Sequence, residues 1–133
     1  MRTGHCLCGA VAYELEAEPT MLALCHCRDC QRVTGGEPAA VALVPKGSFK
    51  ISHGTMKAYA CHGDSGNRVE RNFCPECGSH LLSRLQDGPW EAVKAGTLDE
   101  PLALRPQLEI WTASAQPWAH HPEGVARFEK NPG

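Results

Sequence analysis

A chain of 133 residues is the size of one domain and can bury about 65–70% of the surface its unfolded form exposes. Thirteen Lys and Arg against 15 Asp and Glu leave a formal charge of −2, which gives no basis for binding a nucleic-acid backbone or an anionic membrane surface. No window approaches the roughly 18 apolar residues of a membrane span, and Met1-Arg2-Thr3-Gly4-His5-Cys6 lacks the apolar stretch of a secretory signal, so the expected location is the cytoplasm.

In chain order the pattern is one of short strands. Ala10 to Glu16 alternates, with Val11, Tyr13 and Leu15 on one face and Ala12, Glu14 and Glu16 on the other. After Pro19, Met21 to Leu24 reads as a strand that runs into a cysteine cluster, and Arg28 to Val33 as a helical turn ended by Gly35-Gly36. Ala39 to Val44, between two prolines, suits a buried strand. Ser48 to Ser52, Thr55 to Cys61 and Arg68 to Phe73 follow, separated by Gly54 and by Gly63-Asp64-Ser65-Gly66-Asn67. Ser79 to Leu85, Trp90 to Ala95 and Gln107 to Thr112 complete the series. With 13 Gly and 10 Pro and no helix longer than two turns, the expected fold is all-β, of short antiparallel strands. Residues 1–118 form the single domain, and residues 119–133, which include His120-His121, read as a loosely packed, solvated tail.

Eight cysteines in a reducing compartment point to metal binding before disulfides. Cys74-Pro75-Glu76-Cys77-Gly78 is a knuckle whose turn brings two sulfurs to one ion, with Gly78 supplying a positive φ. Cys6 and Cys8, two apart on extended backbone, point the same way and complete a set of four. Such a tetrahedron of thiolates is a closed, structural zinc site; the alternative for Cys6 and Cys8 is small core residues or a disulfide.

Cys25-His26-Cys27-Arg28-Asp29-Cys30 places three thiols within six residues, and His26, between two of them, should point the other way. Three protein ligands are the mark of a catalytic zinc, whose fourth position takes water or substrate, unless Cys61, His62 or His80 closes the site. Seven thiolates against two divalent ions leave a surplus of three negative charges, so an incoming thiolate needs cationic compensation, for which Arg28 and Arg32 are nearest in sequence. Their other reading is solvated surface.

The motifs Gly4-His5-Cys6-Leu7-Cys8-Gly9, Cys25-His26-Cys27-Arg28-Asp29-Cys30 and Phe73-Cys74-Pro75-Glu76-Cys77-Gly78-Ser79 resemble, in this order, those of the glutathione-dependent formaldehyde-activating enzymes, whose wider group includes the centromere protein V-like proteins. Ala95-Gly96-Thr97-Leu98-Asp99 and Ile110-Trp111 echo the same family, and the resemblance runs from Gly4 to about Trp118. It implies an Mss4-like zinc-stabilised β fold with two zinc ions, one structural on Cys6, Cys8, Cys74 and Cys77, the other catalytic on Cys25, Cys27 and Cys30. The implied reaction is carbon–sulfur lyase chemistry, the reversible joining of a glutathione-like thiol to an aldehyde such as formaldehyde. Two other readings compete with it. One is a noncatalytic zinc-stabilised binding module, with the second tetrahedron completed by a side chain such as Cys61 or His62. The other is thiol redox through Cys27 and Cys30, disfavoured by the lack of a thioredoxin-like βαβ context.

Overall fold

The computed structural model describes residues 1–63 and 65–132. Asp64, in the turn expected between two strands, and Gly133, at the end of the tail, lie outside the described residues. The strands are β1 (Arg2–His5), β2 (Ala12–Leu15), β3 (Met21–Cys25), β4 (Ala39–Pro45), β5 (Phe49–His53), β6 (Lys57–His62), β7 (Arg68–Phe73), β8 (His80–Leu85), β9 (Trp90–Lys94), β10 (Leu108–Ile110) and β11 (Ala126–Arg127). One α-helix, α1 (Arg28–Thr34), follows β3 and ends at Gly35. Among the described residues no helix is long and apolar enough to cross a membrane.

The strands form two sheets, β1-β2-β5 and β11-β10-β3-β4-β9-β8-β7-β6. Pairing is antiparallel except where β10 runs parallel to β3 and to β11, which departs from the expected antiparallel arrangement. β1 and β11 carry no apolar alternation and so escaped the sequence pattern. β1 exists because its backbone completes the edge of β2, while Thr3 and His5 reach Asp99 with their side chains.

Alternation along the strands gives the large sheet two chemically different faces. Ala42, Val44, Leu82 and Val93 point to the small sheet and meet Val11, Tyr13, Leu15 and Phe49 in the main core. The expected face of β2 is thus the buried one, and Tyr13 stacks on Phe49 with ring centroids 4.4 Å apart. Such stacking adds about 0.5–1.5 kcal/mol beyond the area buried. Residues of the opposite parity, among them Ala23, Cys25, Val41, Lys94, Ser83 and Arg71, face a cavity of about 660 Å³ on the other side of the large sheet.

Gly4 is required where β1 crosses the core. A Cβ at this position would collide with the Tyr13 ring and sit 2.6 Å from the Thr97 carbonyl oxygen, and the Tyr13 hydroxyl is itself tied to Thr97 Oγ1 at 2.7 Å. Neither neighbour has room to move. Gly4→Ala should therefore destabilise the fold by about 1–3 kcal/mol, the usual range for overpacking a filled site, read as a lowered midpoint in denaturant unfolding with an unchanged m-value.

Candidate metal centre

The two cysteine pairs expected to share an ion do converge. The sulfurs of Cys6, Cys8, Cys74 and Cys77 all lie within 4.8 Å of one another. Cys6 Sγ is 3.7 Å from Cys8 Sγ, and Cys8 Sγ is 3.8 Å from Cys74 Sγ. A tetrahedron with Zn–S of about 2.3 Å has sulfur edges of about 3.8 Å, so the donor set fits such an ion. A disulfide, at about 2.05 Å, does not fit, and every cysteine in the chain is free. Gly78 has φ 79°, which lets the knuckle return and its N–H reach the Cys74 carbonyl oxygen at 2.9 Å. Hydrogen bonds from the Ser79 side chain and backbone hold the Cys77 thiol down to about 5, against an ordinary 9.0.

Cys25, Cys27 and Cys30 form a second group within the same 4.8 Å limit. β3 delivers Cys25 on the cavity face, and the chain then turns into α1. Cys27 is the cap of that helix: its sulfur accepts the Cys30 N–H at 3.2 Å, a bond that orders the loop and favours negative charge on sulfur. Among the described residues no fourth Cys, His, Asp or Glu atom joins this group. Cys61 lies on β6 beside Arg71, His62 is exposed, and His80 stacks on Phe73 at 5.2 Å. None of the three side chains considered for a fourth ligand is at the cluster.

A model of the family described as glutathione-dependent formaldehyde-activating enzyme matches residues 1–114. The chain belongs to that family. Proteins of Aspergillus flavus and Aspergillus oryzae, each provisionally named as such an enzyme, are 26% identical to it in an alignment 127 residues long that covers 91% of this chain. The chain spans 65% of the length of these curated relatives. A Rhodobacter sphaeroides protein of known crystal structure, 21% identical, superposes with a TM-score of 0.59 over 95% of this chain and 98% of its own and shares the fold.

In this member of the formaldehyde-activating family the cationic compensation does not come from Arg28 and Arg32. Arg28 hydrogen-bonds Gln31 Oε1, and both arginines line a separate groove of about 230 Å³ with Gln116 and Trp118. The reason is helical geometry: Cys30 and Gln31 take the buried side of α1, so Arg28 and Arg32 are turned outward. The cations beside the sulfurs are Arg71 and Lys94, supplied by β7 and β9 and only 5% and 6% exposed. Arg71 Nη1 lies 3.7 Å from Cys30 Sγ and 3.4 Å from Ser83 Oγ, and Lys94 Nζ donates to the same Ser83 oxygen at 3.2 Å. Register accounts for this meeting, since Arg71 pairs with Ser83 and Ser83 with Ala92, two residues from Lys94 on the same face. Hydrogen bonds from Cys25 and Cys27, then Lys94 and Arg71, hold the Cys30 thiol down to about 2, while the Cys25 thiol is pushed far up by sharing its proton with Cys27 and Cys30.

His26 points away from the sulfurs, as extended backbone requires, but its destination lay outside the sequence reading. It is fully buried between two carboxylates, with Nδ1 3.0 Å from Glu37 Oε1 and Nε2 2.8 Å from Glu109 Oε1. Glu109, also fully buried, receives His121 Nδ1 at 2.7 Å and Arg127 Nε at 2.8 Å. The expected loose tail is therefore docked, and His121 is a partner in a buried network instead of a solvated side chain; His120 alone is exposed. The tail's segments were illegible because the carboxylate that anchors them sits on a strand of three residues.

Burial raises the Glu109 carboxyl, but its bonds to Arg127, His121 and His26 outweigh that and leave its pKa below the ordinary 4.5. A depressed carboxylate contributes stability that is complete above the unfolded value and is lost as pH falls through the folded one. Glu109→Gln should lower stability by about 1–3 kcal/mol at pH 7, make residues 119–132 sensitive to limited proteolysis, and narrow the gap to wild type as pH drops below about 4.5. Unfolding curves of both proteins from pH 7 to pH 3, paired with mass spectrometry of the cleavage products, check this.

Proposed function

We propose that the chain is a zinc-dependent carbon–sulfur lyase that makes or breaks a thiol–aldehyde adduct of the S-hydroxymethylglutathione type, acting in the cytoplasm. The observation that carries this reading is the trio Cys25, Cys27 and Cys30 on the wall of a cavity, with no fourth protein ligand among the described residues. The relatives' names and the family model point to the same substrates. Cys6, Cys8, Cys74 and Cys77 would hold a structural ion, and the trio a second one. At the trio zinc would supply positive charge that favours the deprotonated thiol near neutral pH, and a point to which its sulfur is fixed.

The chain's own groups account for the rest. Arg71 and Lys94 offset the sulfur charge, so that a further thiolate can approach without an uncompensated negative site. The cavity walls confine the aldehyde beside the thiol, which replaces an encounter in solution by a held geometry. In the forward direction the thiol gives up its proton, sulfur bonds to the carbonyl carbon, and the carbonyl π pair moves to oxygen, which takes a proton. In the reverse the hydroxyl gives up its proton, the carbonyl re-forms as the same C–S bond breaks with its pair going to sulfur, and sulfur takes a proton.

The two cysteine groups predict different consequences of substitution. A structural site contributes about 10–16 kcal/mol of apparent binding energy, as much as the whole 5–15 kcal/mol net stability of a domain, so Cys77→Ser should abolish the folded state. Cys27→Ser should leave the chain folded with one zinc in place of two and slow adduct formation at least about 100-fold. Metal analysis, circular dichroism and exchange NMR of formaldehyde, with glutathione and with 2-phenylethanethiol in turn, measure these quantities. Equal loss of fold in both variants, or a wild-type rate no faster than the spontaneous reaction with either thiol, would end the proposal.

A further inference from the structure

The thiol that docks at the trio has its body in the cavity, so the cavity walls select the thiol. Along β3 the cavity runs from Cys25 past Ala23 to Met21, three residues on the same face that span about 13 Å at strand rise. Its sides are built from Leu43 of β4, Leu85 of β8 and Trp90 of β9, and it is closed by Trp111 and Phe128 from the C-terminal part of the chain. Trp111 is held at φ 59°, uncommon for an aromatic residue, and its indole nitrogen donates to Asn131 Oδ1 at 2.9 Å. The ring is thus fixed by its surroundings. Phe128 is held by backbone bonds on both sides, its N–H to the Glu109 carbonyl oxygen at 2.9 Å and its carbonyl oxygen from the Thr112 N–H at 3.1 Å.

The charged residues among the described lining are Asp29, Arg71 and Lys94. Both cations lie at Ser83 and next to Cys30, beside the trio. Three thiolates, one divalent ion, Arg71 and Lys94 sum to a single positive charge, which one incoming thiolate cancels. Glutathione would bring two carboxylates and an ammonium besides its sulfur. Asp29 could meet the ammonium, but no cation of the lining remains for either carboxylate, and a charge buried without a partner is strongly disfavoured. An aryl or alkyl group instead matches the walls of Leu, Met, Trp and Phe.

We infer that the thiol accepted here has an apolar body and a single anionic atom, its sulfur, in place of the doubly carboxylated tripeptide. This rests on the thiol–aldehyde reading of the site. The reaction stays balanced: the thiol RSH adds across the formaldehyde carbonyl to give RSCH2OH, the thiol proton being replaced on sulfur by carbon and a proton arriving on oxygen.

The test uses the full chain loaded with zinc, under reductant that is not a thiol. Isothermal titration calorimetry and quenching of tryptophan fluorescence compare 2-phenylethanethiol with glutathione, and NMR follows formaldehyde consumption with each. The inference expects 2-phenylethanethiol to bind at least tenfold more tightly, and Leu43→Lys, which adds a cation to the wall that a glutathione carboxylate can pair with, to remove that preference. Because a central strand with a new charge may not fold, Phe128→Ala and Trp90→Ser provide the same comparison at the cavity rim, each lowering the preference about threefold. Glutathione bound as tightly or more so, with formaldehyde consumed, would overturn the apolar substrate and leave the lyase reading standing. Failure of both thiols to bind would overturn both.

Discussion

The period of two along β3, β4, β9, β8 and β7 is the constraint on which the remaining structure depends. In β4, β8 and β9 one parity is spent on the core shared with the small sheet and the other on the cavity, so Ala42 and Val93 are core while their neighbours Val41 and Lys94 line the site, and β3 and β7 present Cys25 and Arg71 to the same cavity. A slip of β9 by one residue would send Lys94 toward the apolar core and Val93 to the cavity face. Stability and site geometry are therefore not separable here. The same register that fills the core also sets Arg71, Ser83 and Lys94 beside Cys30.

Two cysteine groups anchor this sheet at different places and by different means. The four sulfurs of Cys6, Cys8, Cys74 and Cys77 converge where the start of the chain meets the turn between β7 and β8, so an ion held by them would close a loop of about 65 residues. The three sulfurs of Cys25, Cys27 and Cys30 close nothing of comparable length, because they lie within one turn of backbone. Their position is secured instead by groups that do not touch the cavity, above all His26 between Glu37 and Glu109. Through Glu109 the same network holds His121 and Arg127, so the residues that brace the trio also place Trp111 and Phe128 over it.

The cysteine motifs and the core face of β2 could be read directly, since both are local patterns: fixed spacings of two or three residues, and an alternation uninterrupted from Val11 to Leu15. The strand boundaries followed to within a residue or two wherever Gly or Pro punctuated the chain. Of the two readings of Arg28 and Arg32, solvated surface is the one the structure supports, because a seven-residue helix turns them away from the sulfurs. Residues 119–132 were misjudged: their composition is polar, but their polar groups are matched by a buried carboxylate elsewhere in the chain.

By itself the amino-acid sequence determined that this is a β protein of the formaldehyde-activating family with two groups of convergent thiols, because ligand spacing and strand alternation are properties of consecutive residues. Only the tertiary structure decided which cations face the trio, that Cys61, His62 and His80 stay away from it, and what walls the cavity has. Those facts depend on pairings between strands far apart in the chain, and the energy of such pairings is shared among many side chains and marked at no single position.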